Sequence, residues 1–146
     1  MRRLMTATVS MAVVLVAIAA AQNKITTAED YAKVMKTTAQ AFIATNKAIG
    51  SGAFADAKTQ LATAREGFTT IHAFWTEKQK SDAAAIAKEA LTNLDALDTL
   101  LSAPTVDKAA AQAAAKQVQG SCGSCHKLYR EGDGKQTPYS IKAGVL

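Results

Sequence analysis

The residues best suited to chemistry are two cysteines and a histidine near the end of the chain. Cys122, Cys125 and His126 occur in the order C-x-x-C-H. Residues three or four positions apart on a helix lie on one face, so the three side chains would point toward one object. This spacing is the attachment sequence of c-type haem. Two thiols would form thioethers with the porphyrin vinyl groups, and a neutral imidazole would bind the iron.

Other uses of the same residues fit the sequence less well. A thioredoxin-like redox pair would need a βαβ context, and the sequence offers none. A structural zinc site needs four ligands, and only the remote His72 could join the three in the motif. A chance match is the remaining alternative, but both cysteines of the chain fall inside the motif. We therefore expect one covalently attached haem c per chain.

The first 21 residues predict export. Arg2 and Arg3 precede a mostly apolar stretch, which ends in three alanines at 19–21 that form a small-x-small element. This is the pattern of a secretory signal peptide, with cleavage before Gln22. An uncleaved anchor is the alternative, since a membrane span needs ~20 residues, but hydroxyl side chains dilute the stretch. We expect a periplasmic protein with no stable membrane insertion after cleavage.

Composition and charge narrow the possible functions. The chain has 146 residues, enough for one domain, and only 5% of them are aromatic. Its abundant alanine favours helices. The formal charge falls from +5 to +3 once Arg2 and Arg3 are removed. Basic residues are interspersed with acidic ones, which argues against nucleic-acid binding, although a mild positive charge could attract an acidic partner.

Two helices are predicted in the first half of the exported chain. Thr26 and Glu29 form a capping-box pattern at the start of the first helix, and Gly50 supplies its C-terminal stop. The second helix carries an apolar residue at alternating steps of three and four from 54 to 75. That regularity is typical of a bundle seam. Gly67 interrupts this helix at a cost of about 1 kcal/mol relative to alanine.

Two more helices are predicted in the second half. Ser81 begins the third helix, and Pro104 ends it because the residue before a proline avoids helical angles. Thr105 is the expected cap of the fourth helix, which continues to about Arg130.

Four helices with short loops predict an all-α fold, an up-down-up-down four-helix bundle over residues 22–134. A looser three-helix arrangement is the alternative. Gly132 and Gly134 break the last helix. Residues 135–146 show no helical period and are expected to form an extended C-terminal tail.

The end of the fourth helix resembles a known family. The segment Cys122-Gly123-Ser124-Cys125-His126-Lys127-Leu128-Tyr129-Arg130, with four alanine-rich helices, is similar to the class II c-type cytochromes: cytochrome c′ and its low-spin relatives. Outside this segment only helical pattern and length match. Class I cytochromes c carry the motif near the N-terminus, which disfavours them here. The resemblance implies that Arg130 lies near the haem edge or a propionate; the alternative is a surface arginine at a helix C-terminus.

The resemblance also implies that the first helix faces the other side of the haem. Cytochrome c′ presents an apolar residue there and keeps five-coordinate iron, whereas the low-spin relatives supply a methionine. The segment Tyr31-Ala32-Lys33-Val34-Met35-Lys36 resembles the low-spin pattern. Met35 is therefore the expected second axial ligand, with core filling as the alternative role. Val34 would take the pocket position if Met35 pointed elsewhere, and His72 is expected to be a partly exposed structural histidine.

These expectations combine into one predicted function. A methionine ligand raises the reduction potential, and a filled sixth position denies access to a substrate. The sequence thus predicts a monohaem cytochrome that transfers single electrons to redox partner proteins and is not an enzyme. The alternative is five-coordinate binding of nitric oxide or carbon monoxide; a peroxidase would need an acid–base pair that the sequence does not suggest. Class II relatives often dimerise through the first two helices, so a homodimer stays open.

Overall fold

The computed structural model describes residues 24–145, which form four α-helices followed by a β-hairpin. The signal peptide expected at residues 1–21 lies outside the described residues. The helices are α1 (Ala28–Ser51), α2 (Phe54–Glu77), α3 (Ser81–Leu101) and α4 (Lys108–Tyr129). The strands β1 (Arg130–Glu131) and β2 (Ser140–Ile141) pair antiparallel, with Arg130 opposite Ile141.

The four helices form a bundle. Short connections join them, so that neighbours in the sequence pack antiparallel. Each helix packs on the next, and α1 also contacts α4, which closes the bundle. The predicted all-α four-helix fold is confirmed, and the looser three-helix alternative is wrong. No helix within residues 24–145 combines the length and the apolar character needed to cross a bilayer.

The core follows the predicted apolar seams. In α2 every seam position from Ala57 to Trp75 is buried, and only Phe54 at the start is partly exposed. Burying a large aliphatic or aromatic side chain contributes about 1.5–3 kcal/mol, so these seams supply much of the stability that holds the helices together. The largest side chains with less than 2% exposure are Trp75, Ile49, Leu61, Leu94, Leu97, Val118 and Thr45.

The start of α1 lies one residue later than predicted. Thr27, not Thr26, is the N-cap: its hydroxyl accepts a hydrogen bond from the amide of Asp30, and the Asp30 carboxylate accepts one from the amide of Thr27. The same carboxylate also accepts a bond from the Thr26 hydroxyl at 2.8 Å. Hydrogen bonds from Thr26 and Thr27 lower the pKa of Asp30 to about 2. Glu29 pairs with Lys33 instead.

Two other helix ends also differ from the prediction. Gly52 rather than Gly50 ends α1, with a left-handed φ of 79° that glycine adopts without strain. Asp107 rather than Thr105 caps α4, and its carboxylate accepts a hydrogen bond from the amide of Ala110 at 3.0 Å. An acceptor at this position satisfies an amide that has no partner within the helix.

The tail forms a hairpin that returns to the bundle: residues 135–145 contain no helix, as expected, and Ser140–Ile141 is an extended strand that pairs with β1. Oδ1 of Asp133 accepts hydrogen bonds at 2.9 Å from the amides of Lys135, Gln136 and Thr137, which fixes the turn. Lys142 then donates from its amide to the carbonyl of Tyr129 at 2.9 Å. Because β2 also contacts α1, the hairpin ties the end of α4 to the first helix.

Candidate haem-binding site

The two cysteines and the histidine lie in the last two turns of α4. The motif follows directly on the buried stripe of this helix, whose last residue is Ser121. Asn93 of α3 donates a hydrogen bond from Nδ2 to Oγ of Ser121 at 3.2 Å, which fixes this part of α4 against its neighbour. Residues three and four apart share a helical face, so the stripe continues through Cys122 and Cys125.

A small cavity of about 20 Å³ brings together most of the residues that the sequence singled out. Met35 from α1 lines this cavity together with Cys122, Cys125 and His126 from α4. The rest of its wall is largely apolar. The other lining residues are Tyr31, Phe68, Ile71, Ile86, Ala87 and Ser121.

Met35 and Val34, the two residues considered for the distal position, face different spaces. Met35 lines the cavity with the cysteines and the histidine. Val34 lines a separate, open groove between α1 and α2. His72 is partly exposed, and the residues that line the cavity do not include it. Of Met35, Val34 and His72, it is therefore Met35 that lines the same cavity as the motif.

Burial determines the protonation states in this cavity. It raises the pKa of Cys122, and it raises the pKa of Cys125 to about 11, with a smaller contribution from the charges of Cys122 and Asp82. Burial, and secondarily the charge of Arg130, lower the pKa of His126 below its ordinary value. Before haem is attached, the site at neutral pH holds two neutral thiols and a neutral imidazole, and the neutral imidazole is the form that binds a metal.

Arg130 lies close to this site, just beyond the end of α4. The helix ends at Tyr129, and Arg130 has an extended backbone with φ −100° and ψ 136°. Its guanidinium stacks on the ring of Tyr139 in the hairpin, with Cζ 4.2 Å from the ring centroid. Arg130 does not line the cavity, although its charge acts on His126.

An aromatic cluster beside the cavity was not predicted as a unit. Trp75 donates a hydrogen bond from its indole to the hydroxyl of Tyr31 at 3.1 Å, and its ring lies 5.2 Å from that of Tyr129. The Tyr129 hydroxyl donates to the carboxylate of Asp82. This bond raises the pKa of Tyr129 to about 12 and lowers that of Asp82. Asp82 lies in the first turn of α3, and nothing in the sequence links it to Tyr129.

Comparison with known proteins identifies the family. The family model described as Cytochrome C' matches residues 9–130. The chain belongs to this family. Comparisons with curated proteins and with solved structures give no match. Members of the cytochrome c′ family are monohaem proteins with covalently attached haem c, and they act as electron carriers or gas binders. The match ends at Arg130, so the turn and the second strand of the hairpin lie outside it.

The residues around the cavity fit a haem c by their chemistry. Two thiols, a neutral imidazole and a thioether sulfur face one largely apolar space, and these are the groups that attach and coordinate a c-type haem. A porphyrin is far larger than about 20 Å³. The surrounding side chains must therefore move apart around the macrocycle, and the cavity marks where the donor groups converge rather than its outline.

Proposed function

We propose that this cytochrome transfers single electrons in the periplasm. In this proposal Cys122 and Cys125 would hold haem c covalently, and His126 and Met35 would bind its iron. The observation that carries the proposal is that Met35, on α1, lines the same small cavity as the three residues of the C-x-x-C-H motif on α4. A methionine that merely filled core space would not need to face these donors.

When bound, the haem supplies a reversible one-electron exchange at iron. The side chains of the protein hold this group and set its reduction potential. Cys122 and Cys125 keep the group from dissociating, and His126 offers a neutral ring nitrogen. The thioether of Met35 is a soft ligand that raises the reduction potential. The bundle packing behind these residues limits how far the ligands rearrange between redox states.

The apolar wall supports the same function. Phe68 and Ile71 of α2 and Ile86 of α3 line the cavity beside the donor groups, which are partly buried. Burial is one of the means by which a protein sets a haem potential. With Met35 as a ligand, the haem iron would have no open coordination site, so we assign this cytochrome no catalytic role.

The location and partners follow from the sequence. An export signal at residues 1–21 would deliver the chain to the periplasm, and the mature charge of +3 suits an acidic redox partner. A homodimer through α1 and α2, the helices through which class II relatives often dimerise, is also part of the proposal. Ile43 on α1 is 67% exposed, and such an interface could cover it.

An absorption spectrum of the exported protein tests the proposal. We expect sharp low-spin bands in both redox states and no change when carbon monoxide is added to the reduced protein. High-spin bands that shift with carbon monoxide would contradict Met35 ligation. That result would favour five-coordinate binding of nitric oxide or carbon monoxide.

A further inference from the structure

The positive charge of the exported chain is concentrated on α4 and the hairpin. Residues 108–145 carry six basic and two acidic side chains, whereas residues 24–107 carry nine basic and ten acidic ones. Most of the six lie in the short segment 127–142, called the basic end below, which joins the last turn of α4 to the hairpin. The basic residues of this segment are Lys127, Arg130, Lys135 and Lys142.

The cations of the basic end have no carboxylate partners. Lys58 and Arg65 of α2 pair with aspartates of α3, but no salt bridge within residues 24–145 includes any of the four cations of the basic end. The two carboxylates of this segment are occupied in the hairpin itself. Asp133 accepts the amides of the turn, and Glu131 accepts a hydrogen bond from a serine hydroxyl at 3.3 Å. The field of this surface is therefore positive and attracts acidic molecules.

The basic end also exposes two large apolar side chains. Leu128 is 51% exposed and Tyr139 is 50% exposed. Within the described part of the chain, the other large exposed apolar residue is Ile43 on α1. Tyrosine and arginine are enriched among the residues that dominate the binding energy of protein interfaces. Apolar contacts accompanied by charged groups are the composition of a protein-docking surface.

The exposed ring of Tyr139 is held in place before any partner arrives. The Arg130 guanidinium stacks on it, with Cζ 4.2 Å from the ring centroid. Gly134 also packs against the ring, since a Cβ there would lie 2.6 Å from it. The amide of Lys142 bonds to the carbonyl of Tyr129 at 2.9 Å and fixes the hairpin to α4. A surface that is already ordered loses little conformational entropy on association.

The basic end lies beside the candidate haem-binding site. Cys125 and His126 belong to the same part of α4 as Lys127 and Leu128. Electron transfer between two proteins slows steeply as the distance between their redox groups grows, so a productive partner must dock close to the motif. The family match ends at Arg130, so most of this surface lies outside the family pattern.

We propose that the basic end is the surface on which an acidic redox protein docks to exchange an electron with this cytochrome. The inference rests on the proposed electron transfer and names the class of partner and the place where it binds. Lys127 and Lys135 pair with carboxylates of the partner and speed the encounter. Leu128 and Tyr139 supply the apolar contact, which lengthens the life of the complex.

A protein partner fits this surface better than an anionic membrane does. Binding in a membrane interface normally uses an amphipathic helix with a broad apolar face. The basic end is mainly a hairpin, all of whose residues from 130 to 140 are exposed, and its large exposed apolar side chains are Leu128 and Tyr139.

Carbodiimide cross-linking of the holoprotein to a plant-type ferredoxin, a small acidic iron–sulfur protein, tests where such a partner binds. The reagent joins a lysine amine to a carboxylate where the two groups already touch. We expect mass spectrometry of the digested product to find links at Lys127 and Lys135. Lys47 of α1 and Lys116 of α4 are also exposed and should form none. Links spread evenly over these four lysines would overturn the proposal.

Stopped-flow reduction of the oxidised holoprotein by reduced ferredoxin measures the effect on electron transfer. Lys135→Glu should lower the second-order rate constant about threefold to tenfold and flatten its dependence on ionic strength. Lys116→Glu is the matched control, with the same change of charge about 16 Å along α4 from Lys127. That separation exceeds a Debye length of about 10 Å, so this variant should change the rate less than about twofold. Leu128→Ser should lower the rate at every salt concentration and leave the salt dependence unchanged.

Reduction by a neutral hydroquinone separates docking from electron transfer itself. Docking is supported if Lys135→Glu slows the reaction with ferredoxin but not that with hydroquinone. It is overturned if Lys135→Glu and Lys116→Glu react equally fast with ferredoxin. A ferredoxin rate that ignores ionic strength, together with salt-sensitive binding to phosphatidylglycerol vesicles, would also overturn it and assign the surface to a membrane. A cytochrome that neither reductant reduces would refute the proposed function, so the two failures can be told apart.

Discussion

Gly67 of α2 packs directly against Thr38 of α1. A Cβ at Gly67 would overlap Oγ1 of Thr38 and lie 3.0 Å from its Cβ and 3.2 Å from its Cγ2. Thr38 is buried, and its hydroxyl donates to the carbonyl of Val34 at 2.7 Å. All three side-chain atoms of the threonine are close, so rotation cannot clear the space. Gly67, which interrupts the second helix in the sequence, therefore lies where α1 and α2 approach closely.

Gly67→Ala should therefore destabilise the cytochrome despite the better helix propensity of alanine. The propensity gain of about 1 kcal/mol is set against overpacking of about 1–3 kcal/mol, so we expect the free energy of unfolding to fall by about 1 kcal/mol. Denaturant unfolding measures this change in the free energy of unfolding. Gly50→Ala is the control: a Cβ there meets no atom within 4 Å, so this helical position should keep the propensity gain and the free energy of unfolding should not fall. Adding Thr38→Ala should recover most of the loss; equal stability of the two glycine variants would refute the close contact.

Replacing Met35 separates a ligand from a space filler. Met35→Leu keeps an apolar side chain of similar volume but removes the sulfur. If Met35 binds iron, Met35→Leu and Met35→Ala should both turn the spectrum high-spin and make it sensitive to carbon monoxide. If Met35 only fills space, Met35→Leu should keep the wild-type spectrum. Val34→Ala, one position away and facing the groove between α1 and α2, should leave the spectrum unchanged.

The turn of the hairpin should depend on pH through Asp133. Hydrogen bonds from the amides of Thr137, Lys135 and Gln136 lower the pKa of this carboxyl from 3.8 to about 2. Because the folded pKa is depressed, the stabilisation is complete above pH 3.8 and disappears as the pH falls toward about 2. The amide resonances of residues 135–137 should report this titration in NMR spectra. A midpoint at 3.8 or higher would show that the bonds do not form, and Asp133→Ala should abolish the transition.

The bundle could be predicted from the sequence because its signals are local. The 3,4 spacing from Ala57 to Trp75 marks a buried helical face without knowledge of what covers it. The start of α1 could not be fixed in the same way. Thr26 with Glu29 and Thr27 with Asp30 are overlapping capping patterns, and only the geometry shows that the Asp30 carboxylate bonds back to both threonines.

The hairpin and the aromatic cluster beside the cavity could not be predicted because their contacts are distant in sequence. A strand of two residues is too short to show a hydrophobic period in the sequence. The hairpin is held to the end of α4 by a hydrogen bond from the amide of Lys142 to the carbonyl of Tyr129. Tyr129 and Asp82 are 47 positions apart, and nothing in either segment indicates the other. In the site, the motif itself indicates haem attachment, whereas the choice of Met35 over Val34 needed both a family resemblance and the direction of each side chain.

Attachment of the haem through Cys122 and Cys125 is the claim on which the account rests, and peptide mapping of the exported protein tests it most directly. After denaturation, alkylation and trypsin digestion, the peptide from residues 117–127 should carry the mass of one haem and no alkyl group. A peptide of unmodified mass plus two alkyl groups, with the haem free in solution, would contradict the account.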